Sequence, residues 1–288
     1  MFKLLPILML QFCFLQAFAY EAHTLYSGES IEKISLEQVV DSVRPGTVVI
    51  VSEIHNVQAH HDHQSEFLTA LHVKHPEYQV SVGMEFFEYP DQIQVNHYMA
   101  DLVSEEDFLK DINWGGFSFD FYRSLVQFPK ITEGWIVALN APKWLTSKIG
   151  KKGLKSLLPG ERAYFPPNFT LGQASYKERF REAMGGGHKL PEELVDNYFA
   201  AQSLWDDTMA WQAGLSQQQN PNQVLVIIVG DFHNAYGDGL PARLRARGVD
   251  NIMSISQVDL HNLDKSEQDE LIVPHRKWGV RADYIWTN

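Results

Sequence analysis

"GTVVIVSEIHNVQAHHDHQSEFLTALHVK", residues 46–74, changes its periodicity part-way through. The run 47–52 is continuously apolar and largely β-branched, which suits a strand buried on both faces, as in a parallel sheet. From about Asn56 the pattern turns helical, with His60, Gln64, Phe67 and Leu71 on one stripe. A strand running into a helix is the first half of a parallel crossover unit.

Four more runs repeat the strand signal: "VSVGME" (80–85), "WIVALN" (135–140), "VLVIIVG" (224–230) and "NIMSIS" (251–256). Helical patterns separate most of them, so the expected fold is α/β, with a largely parallel central sheet flanked by helices. Residues 86–129 should supply two or three helices. Residues 141–222 are too long for an ordinary crossover and predict a smaller helical subdomain, an insertion or lid between strands three and four. The core domain would then comprise residues 20–140 and 223–288. The tail after Gln257 reads as an edge excursion or final hairpin.

With 288 residues, 44% of them apolar, the chain can bury a full core. Its 36 acids against 24 bases repel phosphate backbones and exclude nucleic acid as a partner. The start, "MFKLLPILMLQFCFLQAFAYEAH", has the basic, apolar and small-residue regions of a secretory signal over residues 1–19. Export follows, with a periplasmic or outer-membrane-associated location. The single cysteine, Cys13, lies inside that signal, which excludes a disulfide scaffold. Gln11 and Phe12 before it argue against a lipid-attachment site.

Ligands of parallel sheets bind beyond the carboxyl ends of the strands, where loops and helix N-termini converge. Each exit here carries a polar group: Glu53 and His55 after the first strand, Glu85 after the second, Asn140 after the third, Asp231 and His233 after the fourth. Glu53, His55, Glu85 and His233 are therefore expected on one rim, with Asp231 near them. Two imidazoles with two carboxylates can hold one divalent transition metal or serve as a metal-free acid/base set. Gly230 would let the chain turn so that His233 faces inward.

The helical stripe places His60 and Gln64 behind that rim. His61, Asp62, His63, His72 and His75 read as solvated, as do Arg243, Arg245 and Arg247. In the insertion, Gln202 and Asp206 share one helical side, as a buried polar pair or as site-facing groups.

Together these segments resemble the ChaN family of haem-binding proteins, within the superfamily that includes Tiki proteases and erythromycin-esterase-like enzymes. The resemblance rests on "SEIHNVQAHHDHQ", "GMEFFEYPDQ", "DFLKDINW" with "FDFYRSL", "ALNAP", "KKGLKSLLPGERA", "AAQSLWDDTMA" and "GDFHNAYGDGLPARL". Ser52 stands where the family usually has glycine, Phe121 where tryptophan is common, and the family's lipoprotein cysteine is missing. The resemblance implies haem as cofactor, held between two subunits by a tyrosine ligand and a histidine near the propionates, in iron uptake with possible outer-membrane or transporter association. Tyr122 and Tyr236 match motif positions; Tyr89 and Tyr98 are further options. The alternative that the superfamily implies is a metal-dependent hydrolase using Glu53, His55, Glu85 and His233.

Overall fold

The computed structural model describes residues 19–185 and 190–288; the expected signal, Cys13 included, lies almost wholly outside the described residues. Eight strands form one sheet: β1 (Leu25–Ser27), β2 (Lys33–Ile34), β3 (Val48–Glu53), β4 (Val80–Glu88), β5 (Ile136–Asn140), β6 (Val224–Gly230), β7 (Ile252–Val258) and β8 (Tyr284–Thr287). Their order is β2-β1-β8-β7-β3-β6-β4-β5. β3 through β8 pair in parallel, while β1 runs antiparallel to β8 and β2 antiparallel to β1.

The helices are α1 (Leu36–Ser42), α2 (Gln58–Lys74), α3 (Gln92–Met99), α4 (Glu105–Asp111), α5 (Asp120–Gln127), α6 (Lys143–Lys152), α7 (Ala174–Gly185), α8 (Glu192–Gln219), α9 (Asp231–Asn234), α10 (Leu240–Ala246) and α11 (Lys265–Ile272). α6, α7 and α8 form the helical insertion between the third and fourth of the expected strands. The tail departs from the expected edge excursion: β8 enters the sheet beside β7 and carries β1 and β2 on its outer side.

Side chains alternate across β3, so Val49 and Val51 face α2 and α5, where they pack with Phe67, Leu68, Leu71 and Leu125. Val48 and Ile50 face α8 and α10, against Met209, Ala213, Leu240 and Leu244. Each such fully buried side chain contributes roughly 1.5–3 kcal/mol relative to exposure. The exposed edge of β5 is closed by Gln92 of α3, whose Nε2 donates to the Ile136 carbonyl at 2.8 Å while its Oε1 accepts the Ala138 N–H at 2.7 Å. One amide thereby occupies the groups another strand would pair with.

Candidate functional site

β6 lies between β3 and β4, so the three exits that carry Glu53, His233 and Glu85 are neighbours. The parity of β3 sends Ser52 and Glu53 to opposite faces. Glu53 is enclosed on the α2 and α5 side. It accepts hydrogen bonds from the Tyr122 hydroxyl at 2.6 Å, Gln64 Nε2 at 2.7 Å and His55 Nδ1 at 3.0 Å.

With its Nδ1 proton on Glu53, the His55 ring turns its other edge across the end of β6. Gly230 makes that crossing possible: a Cβ there would stand 2.8 Å from His55 Cε1 and 3.1 Å from Nε2. Glu85 Oε2 accepts the Gly230 N–H at 2.6 Å, and its Oε1 lies 3.4 Å from His233 Nε2. His233 Nδ1 donates to Asp206 Oδ1 at 2.6 Å, and Asp206 Oδ2 accepts the Tyr176 hydroxyl at 2.7 Å. Two arms result, Tyr122–Glu53–His55 on one face of the sheet and Tyr176–Asp206–His233–Glu85 on the other, meeting above the strand ends.

Burial works against a charged His233, but Asp206 and Glu85 outweigh it and its pKa is pushed up to about 10. Burial would raise Glu85, yet His233, His55 and the Gly230 amide hold it below the usual carboxylate range. His55 is likewise raised: the hydrogen bond to Glu53 and the charges of Glu85 and Glu53 overcome its desolvation. Burial, then the charge of Glu53, drives the Tyr122 hydroxyl far up, so Tyr122 donates and does not ionise.

The arrangement can act as an acid/base set. Among the described residues no three His, Cys, Asp or Glu side chains are spaced to hold one metal ion. Glu53, His55, Glu85 and His233 hydrogen-bond or pair among themselves and with Tyr122, Gln64 and Asp206. Asp231, expected beside them, is turned away toward Ser52 of β3 and Ser256 of β7. It is held there by Arg281 and by the hydroxyls of Ser52 at 2.6 Å and Ser256 at 2.5 Å. A 330 Å³ cleft opens over Glu85 between Phe86, Trp114, Phe117 and Trp205, with Asn140 and Lys143 also lining it.

Gln64 reaches Glu53 directly, whereas His60 supports the exit loop: its Nδ1 accepts the Ile54 N–H and its Nε2 donates to Asn288 Oδ1, both at 2.8 Å. Two histidines read as solvated are buried. His61 stacks on Phe121 and donates from Nε2 to the His55 carbonyl at 3.1 Å. His63 stacks on Trp286 and donates from Nδ1 to Gln257 Oε1 at 3.0 Å, since β8 covers the helix flank that the sequence left open. His72 and His75 are half-buried, and Asp62 is exposed. Arg243 and Arg247 are also corrected, bonding Thr170 and Asp207 respectively.

The sequence matches the model of the family described as "Haem-binding uptake, Tiki superfamily, ChaN" over residues 39–244. The chain belongs to the ChaN family. Among solved structures, one described as cofacial haem binding to ChaN of Campylobacter jejuni superposes with a TM-score of 0.66, covering 91% of this chain and 95% of that one at 15% identity. An erythromycin esterase mutant follows at a TM-score of 0.46 and 12% identity, covering 82% of this chain and 77% of that one. No curated protein matches.

The four candidate tyrosines of this ChaN-family chain have different surroundings. Tyr122 and Tyr98 are buried and donate to Glu53 and Glu105; Tyr89 donates to the Tyr164 carbonyl. Tyr236 is half-buried in a left-handed backbone conformation, φ +63°. Its hydroxyl accepts from Arg281 at 3.5 Å, its ring lies beside the guanidinium groups of Arg281 and Arg179, and His275 stands at its edge. Tyr176 and Arg281 escaped sequence reasoning, since a tyrosine in an amphipathic helix and an arginine in a polar tail carry no local signal.

Proposed function

We propose that this protein is an exported haem-binding protein of iron acquisition and that Tyr236 is its iron ligand. The observation that carries the reading is the Arg281 guanidinium directed at the Tyr236 oxygen. Of the four candidate tyrosines, only this one receives a hydrogen bond from a cation among the described residues. Tyr122 and Tyr98 each donate to a carboxylate, whereas Tyr236 has no such bond among the described residues, so its oxygen is not committed in that way. Haem, when bound, supplies the ferric iron that an anionic phenolate stabilises.

The surroundings of Tyr236 suit the group. Trp278 stacks on His275 and extends an aromatic surface beside the phenol, and Arg276 is an exposed cation next to it for a propionate. Tyr122, by contrast, would have to break its bond to Glu53 and leave a closed core. Cofacial haem binding, named for the Campylobacter ChaN structure, supports a pair of chains facing each other across this surface.

Titration with hemin tests the reading: wild type and Tyr122→Phe should give a saturable Soret shift, and Tyr236→Phe should lose it. A full shift in Tyr236→Phe would reject Tyr236.

A second activity, hydrolysis in the cleft over Glu85, is supported by one observation, the pairing of a raised His233 with a lowered Glu85 beside a half-exposed His55. His55 is the group placed to take a proton from a nucleophile. Turnover of a panel of esters and amides by the wild type, lost in both His55→Asn and Glu85→Gln, would support it; no turnover by the wild type, or turnover undiminished in the two variants, would reject it.

A further inference from the structure

Charge is unevenly distributed on this acidic chain. Residues 143–164, "KWLTSKIGKKGLKSLLPGERAY", hold six of its 24 basic residues and one of its 36 acids. α6 packs on α8 through Leu145 and Ile149, which leaves Lys143, Trp144, Lys151 and Lys152 exposed. The loop that follows adds Lys155, Leu158, Arg162 and Tyr164 to the exposed set.

The loop returns to the helix rather than leading away from it. Glu161, the one acid, is held by Lys148 at 2.7 Å and accepts the Leu158 N–H, and Tyr164 meets Trp144 edge-on at 5.4 Å. Trp144, Leu158 and Tyr164 are 46%, 63% and 38% exposed. Lys143, Lys151, Lys152 and Lys155 have no carboxylate within ion-pair distance among the described residues. Across a 760 Å³ hollow, Lys152 and Lys155 face Glu193 and Asp196, and Asp196 is already paired with Lys177.

We propose that this face docks the protein on an anionic phospholipid surface, independently of haem binding. Two features select a bilayer over an acidic protein. The apolar groups are an indole and a phenol in edge contact and a leucine, set among lysines, which is the composition that enters a headgroup region. The 760 Å³ hollow beside them carries Glu193 and Asp196 on its wall, which disfavour entry of an acidic protein segment. The rest of the chain carries a net negative charge, so an anionic membrane would orient the molecule with this face inward. Lys143 also lines the cleft over Glu85, which places that cleft beside the docked surface.

Exported protein would be sedimented with vesicles of pure phosphatidylcholine and of phosphatidylcholine with phosphatidylglycerol. Binding should need the anionic lipid, fall in high salt as the Debye length shortens, and weaken roughly 100-fold in Lys151→Gln/Lys152→Gln/Lys155→Gln, from roughly 1 kcal/mol for each basic side chain at such a surface. Trp144→Ser/Leu158→Ser should weaken it while keeping the dependence on anionic lipid. Equal binding to both vesicle types, equal binding by the lysine variant, or binding only to an acidic protein partner would overturn the proposal. All five positions are exposed, and an unchanged circular dichroism spectrum confirms that the variants fold.

Discussion

Asp206→Asn removes one of the two carboxylates that hold His233 charged. In the wild type, Asp206 Oδ1 lies 2.6 Å and Glu85 Oε1 3.4 Å from the imidazole nitrogens, and the pKa is pushed up to about 10 from an ordinary 6.5. A group with a raised folded pKa stabilises the protein fully below its unfolded value, and that contribution is lost as pH rises through the folded value. The window is therefore from 6.5 to about 10. An opposite charge at such a distance moves a pKa by roughly 1–3 pH units, so the variant's His233 should titrate well below the wild-type value. At roughly 1.4 kcal/mol per unit, the variant should be about 1.4–4 kcal/mol less stable at pH 6. Both groups are buried, so solvent screening does not reduce this figure greatly. Histidine Cε1–H resonances followed by NMR report the titration, and urea unfolding at pH 6 and pH 10.5 reports the stability. The deficit should shrink at the higher pH, where the imidazole is neutral in both proteins. Identical His233 titration in the two, or a deficit that does not change with pH, would refute the electrostatic account of this arm.

Gly230→Ala should push His55 off its position and cost roughly 1–3 kcal/mol, because the added Cβ would fall 2.8 Å from Cε1; a shifted His55 resonance and a lower urea midpoint check this. His63 is held neutral by burial, with its pKa lowered from 6.5 to about 4. The unfolded chain takes up that proton first on acidification, so stability should fall by roughly 3 kcal/mol between pH 7 and pH 4. Urea midpoints should show a shallower acid slope in His63→Gln. Arg281→Gln removes the partner of the half-buried Asp231 and should cost up to roughly 3 kcal/mol. Measured by hemin titration in the folded variant, it should also weaken haem binding without abolishing it.

The alternation of strand and helix was legible because a doubly covered sheet needs mostly apolar runs; β3, β5 and β6 have continuous ones, and β4 and β7 have runs interrupted by serines. The rim followed from the same runs, since the residue after each strand must leave at the same end. Two things were not legible. Faces of a strand end cannot be assigned without knowing what packs on each, which is why Asp231 was expected beside Glu53 and lies with Arg281 instead. Burial of His61 and His63 depends on Phe121 and on Trp286 of β8, distant segments whose positions no helical periodicity encodes. Tyr176 closes the second arm from α7 for the same reason. Gln202 and Asp206 were visible as a polar pair on α8, but only the contact with His233 decides that the pair faces the site.

The central claim is that the phenol of Tyr236 ligates haem iron. Resonance Raman spectra of the hemin-loaded protein, excited in the phenolate-to-iron charge-transfer region, test it most directly. The account predicts tyrosinate modes that shift when ring-deuterated tyrosine is incorporated and vanish in Tyr236→Phe. Tyrosinate modes that persist in Tyr236→Phe, or a wild-type spectrum with histidine ligation alone, would contradict it.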